Sequence, residues 1–143
     1  MSAVTLPSIK LSHAGAWKMM EAAMAKATEI GFPVNIVVVD DGGNLLGCVR
    51  MDGAFTLSMK TAMSKAKTAA SHRRPTTEIN AVVASALSRA SGGVITDMAG
   101  GLPIFIEGVC VGAIGIGSAP DAEDIMIARA ALAAIGAQER GPR

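Results

Sequence analysis

A short glycine-rich turn between two apolar runs constrains the fold of this chain more than any other feature. The stretch VVVDDGGNLLGCVRMDGA covers residues 37–54, and Asp41-Gly42-Gly43-Asn44 separates its apolar halves. Asp-Gly and Gly-Gly in such a place are typical of tight hairpin turns, which need residues that accept a positive φ. A phosphate loop would open into a helix, and a calcium loop would carry more acidic ligands. The pattern therefore predicts an antiparallel hairpin with strands at 34–40 and 45–51.

Four helices and a second hairpin are expected from the spacing of the other apolar residues. The expected helices cover 12–31, 55 or 56 to 71, 76 or 77 to 91, and about 120–136. Ser12 and either Thr76 or Thr77 are the expected N-caps. The second hairpin is expected at 104–116, around Glu107-Gly108. Hairpins separated by helices favour an α/β fold of the α+β type, in which one mostly antiparallel sheet of about four to five strands is flanked by helices. We expect a single domain over residues 1–143.

Composition argues against several kinds of partner. The 143 residues carry a net charge of +1, only 3% of them are aromatic, and there is no Tyr. The chain therefore lacks both the basic surface and the stacking rings of nucleic-acid-binding proteins. It also lacks a long apolar run and a secretory signal pattern, so we expect no membrane partner and a cytoplasmic location. Cys48 and Cys110 lie in apolar runs and are expected to be buried free thiols.

Several short motifs, taken in order, resemble the GlcG/HbpS-like family. The first hairpin is similar to the family signature VVDxGGxLxxxxRMDGA. Further similar segments are Lys65-Ala66-Lys67-Thr68-Ala69, Arg74-Pro75-Thr76, Gly100-Gly101-Leu102-Pro103-Ile104, Val111-Gly112-Ala113-Ile114-Gly115 and, in the last helix, Asp124 with Ala128-Arg129-Ala130. The resemblance covers about residues 11–135. The chain departs from the family pattern at His72-Arg73 and at Gly117-Ser118-Ala119-Pro120, where a pocket mouth is expected.

The resemblance implies a sheet with helices on both sides and a homo-oligomer, commonly an octamer or another even-numbered assembly. The family includes haem-binding proteins and the C-terminal domain of PduO-type corrinoid adenosyltransferases, and it is taken to include enzymes of aromatic catabolism. Three hypotheses follow. The chain is an oligomeric protein that binds a small anionic ligand, haem or a related tetrapyrrole. Alternatively, it is a cofactor-independent enzyme, of hydrolase or deaminase type, that acts on a small organic acid such as an aromatic ring-cleavage product at a pocket near subunit contacts. The third hypothesis is a structural or chaperone-like accessory subunit that depends on no ligand.

Charged residues near the first hairpin are the candidates for chemistry. Arg50 and Asp52 end the second strand and, by alternation, point to one side of the sheet. Either they form an exposed ion pair, or they line a pocket with Lys65 of the next helix. A desolvated Lys65 could bind a carboxylate or act as a base, and Asp52 could move protons in the enzyme hypothesis. We expect Arg50, Asp52, Lys65 and Arg74 to converge on one cavity.

A second group of candidates would hold an anionic ligand or iron. Arg74, at a helix start, suits a carboxylate or propionate, and Thr76 beside it either contacts the ligand or only caps the helix. Asp97, Gly100 and Gly101 either line the ligand site through backbone N–H groups or form a simple turn. If haem binds, the resemblance implies an axial ligand on the first helix. His13 is therefore the candidate metal ligand and His72 the second choice, although both could simply be solvated.

Overall fold

The computed structural model describes residues 3–142 as one antiparallel sheet with helices on both faces. Its strands, β1 to β4, are Asn35–Asp40, Leu45–Arg50, Gly101–Ile106 and Val109–Gly117, in the spatial order β2-β1-β4-β3. Its helices, α1 to α4, are His13–Ile30, Ser58–His72, Ala81–Ala90 and Asp121–Ala134. The predicted fold class is confirmed, with four strands in the sheet. None of the described helices has the length and apolarity needed to cross a membrane.

Small and β-branched residues bring the helices close to the sheet. On one face, α1 and α4 pack against residues such as Ile36 and Ile114. On the other face, the alanines of α2 pack against Val37 and Val39. A Cβ added at Gly115 of β4 would lie only 2.0 Å from the carbonyl oxygen of Ala62, so α2 rests directly on the sheet backbone. The sheet therefore separates α1 from α2, and this separation decides which candidate residues can meet.

The first hairpin forms as predicted, with an ordinary turn. Asp40 Oδ1 accepts hydrogen bonds from the backbone N–H groups of Gly42 and Asn44, both at 2.9 Å, and Gly43 has φ +79°. Burial acts to raise the pKa of Asp40, but the hydrogen bonds from Asn44 and Gly42 outweigh it and hold the pKa below its usual value. The carboxylate thus serves the turn itself rather than a metal or a phosphate.

The prediction that Cys48 is buried is wrong. The thiol is exposed, whereas Cys110 is half-buried and burial raises its pKa. Cys48 pairs with Val37 across the hairpin and so shares the sheet face that α2 covers over β1, β3 and β4. Because α2 does not cover the edge strand β2, Cys48 stays exposed although it lies in an apolar run.

The boundaries of two elements differ from the prediction. The second hairpin begins at Gly101 rather than at residue 104, because Gly101 pairs with Gly115 and Leu102 with Ile114. A Gly-Leu-Pro run resembles a loop, but an edge strand tolerates proline. The N-cap of α3 is Asn80, whose side chain accepts from the N–H of Val82, and neither threonine caps this helix.

The segment after α4 returns to the β3 edge of the sheet. Gln138 forms a bridge with Phe105 in which the backbone of each residue donates to the other, at 2.8 and 3.0 Å. Gly141 then lies against the Phe105 ring, where an added Cβ would come within 2.4 Å of the ring. The residues after α4 therefore form a wall beside the sheet, as far as residue 142.

Candidate functional site

Lys65 lies at the centre of a buried polar cluster. Its Nζ donates to the carbonyl oxygen of Ile116 at 2.8 Å and lies 3.2 Å from Asp124 Oδ2. Lys65 and Asp124 are only 3% and 1% exposed. Asp124 Oδ1 also accepts from the N–H of Ala119, at 3.1 Å. The cluster thus joins α2, β4 and the start of α4.

Asp124 is strongly perturbed by this environment. Burial raises its pKa from 3.8 to about 6, although the Lys65 ammonium and the hydrogen bonds from Lys65 and Ala119 oppose the rise. Burial dominates because a carboxylate at 1% exposure loses almost all of its hydration.

Gly100, Gly101 and Thr76 surround this cluster, so the structure brings together four of the predicted site residues. A Cβ at Gly100 would lie 2.6 Å from the carbonyl oxygen of Ile116 and 3.2 Å from Lys65 Nζ. Thr76 is fully buried, and its Oγ1 accepts from the N–H of Gly101 at 3.1 Å. The polar groups of this cluster form hydrogen bonds with one another inside the chain. Their roles in ligand binding, like the catalytic role of Lys65, stay predictions.

Arg50 and Asp52 do not join that cluster. Both are exposed, and no salt bridge within residues 3–142 includes either of them. Arg50 ends the edge strand β2, whereas Lys65 is directed towards β4 and α4. The expected convergence of Arg50, Asp52, Lys65 and Arg74 on one cavity is therefore not found within a single chain. The prediction failed because Lys65 is buried against Ile116 and Asp124, whereas Arg50 and Asp52 are exposed at the end of the edge strand β2.

Arg74 lies beside a basic cavity of about 570 Å³ at the C-terminal end of α2. Glu78 is the single acidic residue among the described residues that line this cavity, and it forms a salt bridge with Arg140. The hydrogen bond from Arg140, together with the charges of Arg140 and Arg74, lowers the pKa of Glu78. The remaining lining is His72, Arg73, Pro75, Phe105, Gly108, Gly141 and Pro142.

His13 and His72 lie on opposite sides of the sheet. His13 is the exposed first residue of α1, and Trp17, one turn further along, is 57% exposed. His72 ends α2, is half-buried, and its Nδ1 lies 3.3 Å from the carbonyl oxygen of Thr68. Asp97 is exposed in the loop before β3. Among residues 3–142 there is no group of three or more histidine, cysteine or acidic side chains that could hold a metal ion.

Comparison with known proteins identifies the family. The family model described as haem degrading protein HbpS-like matches residues 11–133. The chain belongs to the HbpS-like family. Over 127 residues it is 39% identical to an uncharacterized 15.0 kDa protein of the dhaT-dhaS intergenic region of Citrobacter freundii, covering 85% of this chain and 89% of that protein. It is 32% identical over 107 residues to Protein GlcG of Escherichia coli K12, which covers 74% and 80% of the two chains.

Solved structures confirm the same HbpS-like fold. The structure of a PduOC:heme complex superimposes with a TM-score of 0.86 at 28% identity, covering 92% of this chain and 99% of that one. A crystal structure of HbpS superimposes with a TM-score of 0.83 at 34% identity, covering 95% and 97%. The resemblance seen in the short motifs is therefore confirmed over almost the whole HbpS-like chain.

Sequence reasoning missed three members of these clusters in the HbpS-like chain. Asp124 lies in one of the family motifs, but its neighbours in the sequence give no sign that it pairs with Lys65. Arg73 stands out in the sequence only as a departure from the family pattern, and Arg140 lies in no family motif. No local pattern shows that Arg140 reaches Glu78, because 62 residues separate them.

Proposed function

We propose that this HbpS-like chain binds haem or a related tetrapyrrole, with His13 as the protein ligand to iron. The support from related proteins is the family description, which names haem, and the haem complex of the relative PduOC. The support from this chain is the surface around His13, and this surface is the observation on which the proposal depends.

The residues present suit haem better than a free metal ion. A structural metal site needs several protein ligands, and no described cluster of three exists. Haem iron is already held by four ring nitrogens, so one proximal histidine is enough. The His13 imidazole makes no hydrogen bond or ion pair with any residue from 3 to 142, and it is exposed. It is therefore free to supply that single ligand.

Exposed apolar side chains that lie close to His13 in the sequence would cover the faces of a tetrapyrrole. Trp17 is 57% exposed, and in the segment before α1 Ile9 is 41% and Leu6 is 90% exposed. Lys10 and Lys18 are exposed on either side of His13 in the sequence and could neutralise propionate groups. When bound, haem would supply an iron centre, and the chain would supply a histidine ligand, apolar cover and counter-charge.

Haem titration of the purified chain tests this proposal. We expect wild type to give a shifted Soret band that saturates, and His13→Ala to weaken binding at least about tenfold, because the axial nitrogen is lost. His72→Ala is the matched control. It removes the only other histidine, which lies across the sheet, and should leave the band unchanged. A wild-type protein with no Soret shift, or a His13→Ala variant that keeps it, would reject the proposal.

No contact among the described residues favours the enzyme hypothesis. The Lys65 ammonium donates hydrogen bonds to Ile116 and Asp124, and Asp52 is exposed in the segment after β2. A base and an acid in these two places do not face a common substrate within one chain. We therefore advance haem binding alone.

A further inference from the structure

The basic cavity at the end of α2 contains more positive charge than its own residues neutralise. Arg73, Arg74 and Arg140 line it, and Glu78 is the one acid among the described lining residues. Because Glu78 is bonded to Arg140, this pair is neutral. The other two arginines then leave two positive charges facing the cavity.

These two arginines are not engaged elsewhere. Neither guanidinium forms a hydrogen bond or a salt bridge to any residue from 3 to 142, although both groups lie near enough to shift the pKa of a neighbour. A guanidinium presents paired N–H donors that match the two oxygens of a carboxylate or phosphate. Two such groups beside one cavity form the donor set for a dianion.

The backbone at Arg73 is also unusual. It is the C-cap of α2 and adopts the left-handed conformation, with φ +54° and ψ +40°. Helices ordinarily place glycine there, because a side chain in this region is strained. Because Arg73 occupies a position that favours glycine, its guanidinium is set beside the cavity at some cost in backbone strain.

The size and walls of the cavity suit a small molecule. Its volume of about 570 Å³ falls in the range of about 300–1,000 Å³ typical of small-ligand sites. One wall is the returning segment after α4, which the bridge between Gln138 and Phe105 holds in place. Phe105, Pro75 and Pro142 give apolar surface beside the charges.

We propose that this cavity binds a small organic or inorganic dianion bearing carboxylate or phosphate groups, through Arg73 and Arg74. The site is separate from the one proposed at His13, because α1 packs on one face of the sheet and α2 on the other. It gives this chain a second ligand, whose chemistry is that of a dicarboxylate or a phosphate ester.

Calorimetric titration of the haem-free chain with inorganic phosphate and, separately, with succinate tests the site. At low ionic strength we expect saturable binding of at least one anion, at one per chain. Arg74→Gln and Arg73→Gly should each weaken it at least about tenfold, since each removes a charged hydrogen-bonding partner. Arg73→Gly should at the same time raise the melting temperature, because glycine fits the left-handed backbone. Lower affinity in a more stable protein cannot be ascribed to misfolding.

Arg89→Gln is the matched control, because Arg89 bonds to Ser85 on the surface of α3 and does not line the cavity. It should bind the anion as wild type does. Glu78→Gln should bind more tightly, because it removes the single acid. Binding by neither anion, or unchanged binding in Arg73→Gly and Arg74→Gln, would overturn the site.

The two proposed sites can fail independently. His13→Ala should keep anion binding, and Arg74→Gln should keep the Soret band. If Arg74→Gln loses the Soret band, the arginines serve haem propionates and the separate dianion site is rejected.

Discussion

At the scale of one residue, the buried cluster around Lys65 restricts position 100 to glycine. Its φ is +119°, and an added Cβ would lie 2.6 Å from the carbonyl oxygen of Ile116, 3.1 Å from Asp124 Cβ and 3.2 Å from Lys65 Nζ. Two separate requirements therefore meet here, one for a backbone that L residues avoid and one for space. Gly92 shares the first requirement, with φ +68°, but has no atom within 4 Å of an added Cβ.

We expect Gly100→Ala to destabilise the protein more than Gly92→Ala. Both variants place a side chain at a positive φ, which costs roughly 1–2 kcal/mol in the left-handed region of Gly92 and more at the φ of +119° of Gly100, which lies outside that region. Overpacking adds roughly 1–3 kcal/mol, and only Gly100→Ala incurs it. Urea unfolding followed by circular dichroism measures the difference. Equal losses of stability in the two variants would contradict this, because they would show that the buried cluster accommodates the added methyl group without overpacking.

The sequence indicates which residues are special more readily than it indicates their partners. The family motifs point to Lys65, Gly100 and Gly101, and the structure brings these three residues together. Asp52 was expected to share a cavity with Lys65, whereas the acid that Lys65 contacts is Asp124, 59 residues further along. A contact of this range depends on how α2 and α4 meet β4, and no local pattern contains that information.

At the scale of elements, the Lys65–Asp124 pair connects three of them. Its hydrogen bonds reach α2, the last residues of β4 and the loop into α4. A buried ion pair contributes little net stability, but removal of one partner leaves an unpaired buried charge. The main effect of the pair on stability is therefore seen when one partner is removed, because the other charge is then buried alone.

We expect Lys65→Met to lower the free energy of unfolding by roughly 3–5 kcal/mol, because Asp124 is left buried without its counter-ion. The double variant Lys65→Met with Asp124→Leu should regain most of that loss, since no charge is then buried. Denaturant unfolding of the single and double variants measures this. A double variant no more stable than the single one would contradict the explanation.

The pH dependence of unfolding gives a second readout of the same pair. The pKa of Asp124 is about 6 in the folded protein and near 3.8 when unfolded. Between these values the folded protein binds more protons, so this group makes stability fall as pH rises from about 3.8 to about 6, with no further loss above that window. The double variant should lack this component of the slope.

Element types were predictable from sequence, and several boundaries were not. Ser12 is the N-cap of α1 and Gly31 is its C-cap, as their local chemistry predicts. These caps were predictable because a cap interacts only with residues a few positions away in the sequence. Thr76 has an equally suitable side chain, yet it is buried against Gly101 of β3, and Asn80 caps α3 instead. Tertiary packing outweighed cap preference at that position.

At the scale of the whole molecule, several large hydrophobic side chains lie on the surface. Twelve of them are exposed in the described residues. Leu45, at 51% exposure, and Cys48 lie on β2, which α2 leaves uncovered. A second chain packed on this edge would cover them, which agrees with the homo-oligomer that the family resemblance implies.

We therefore expect a homo-oligomer with an even number of chains, an octamer being one possibility. Size-exclusion chromatography with light scattering should give an even multiple of the 14.5 kDa chain mass. Association would bury exposed apolar surface, so the mass should persist at high salt, which weakens only exposed charge contacts. A particle of one chain mass at micromolar concentration would contradict this expectation.

The bridge between Phe105 and Gln138 makes the two rims of the sheet unlike each other. At the β3 rim, one main-chain donor and one acceptor are already engaged, and Gly141 shields the adjoining ring. At the β2 rim, no described strand lies further out. A foreign strand would find the β2 rim free of such a bridge, so strand addition to this sheet is favoured at the β2 side.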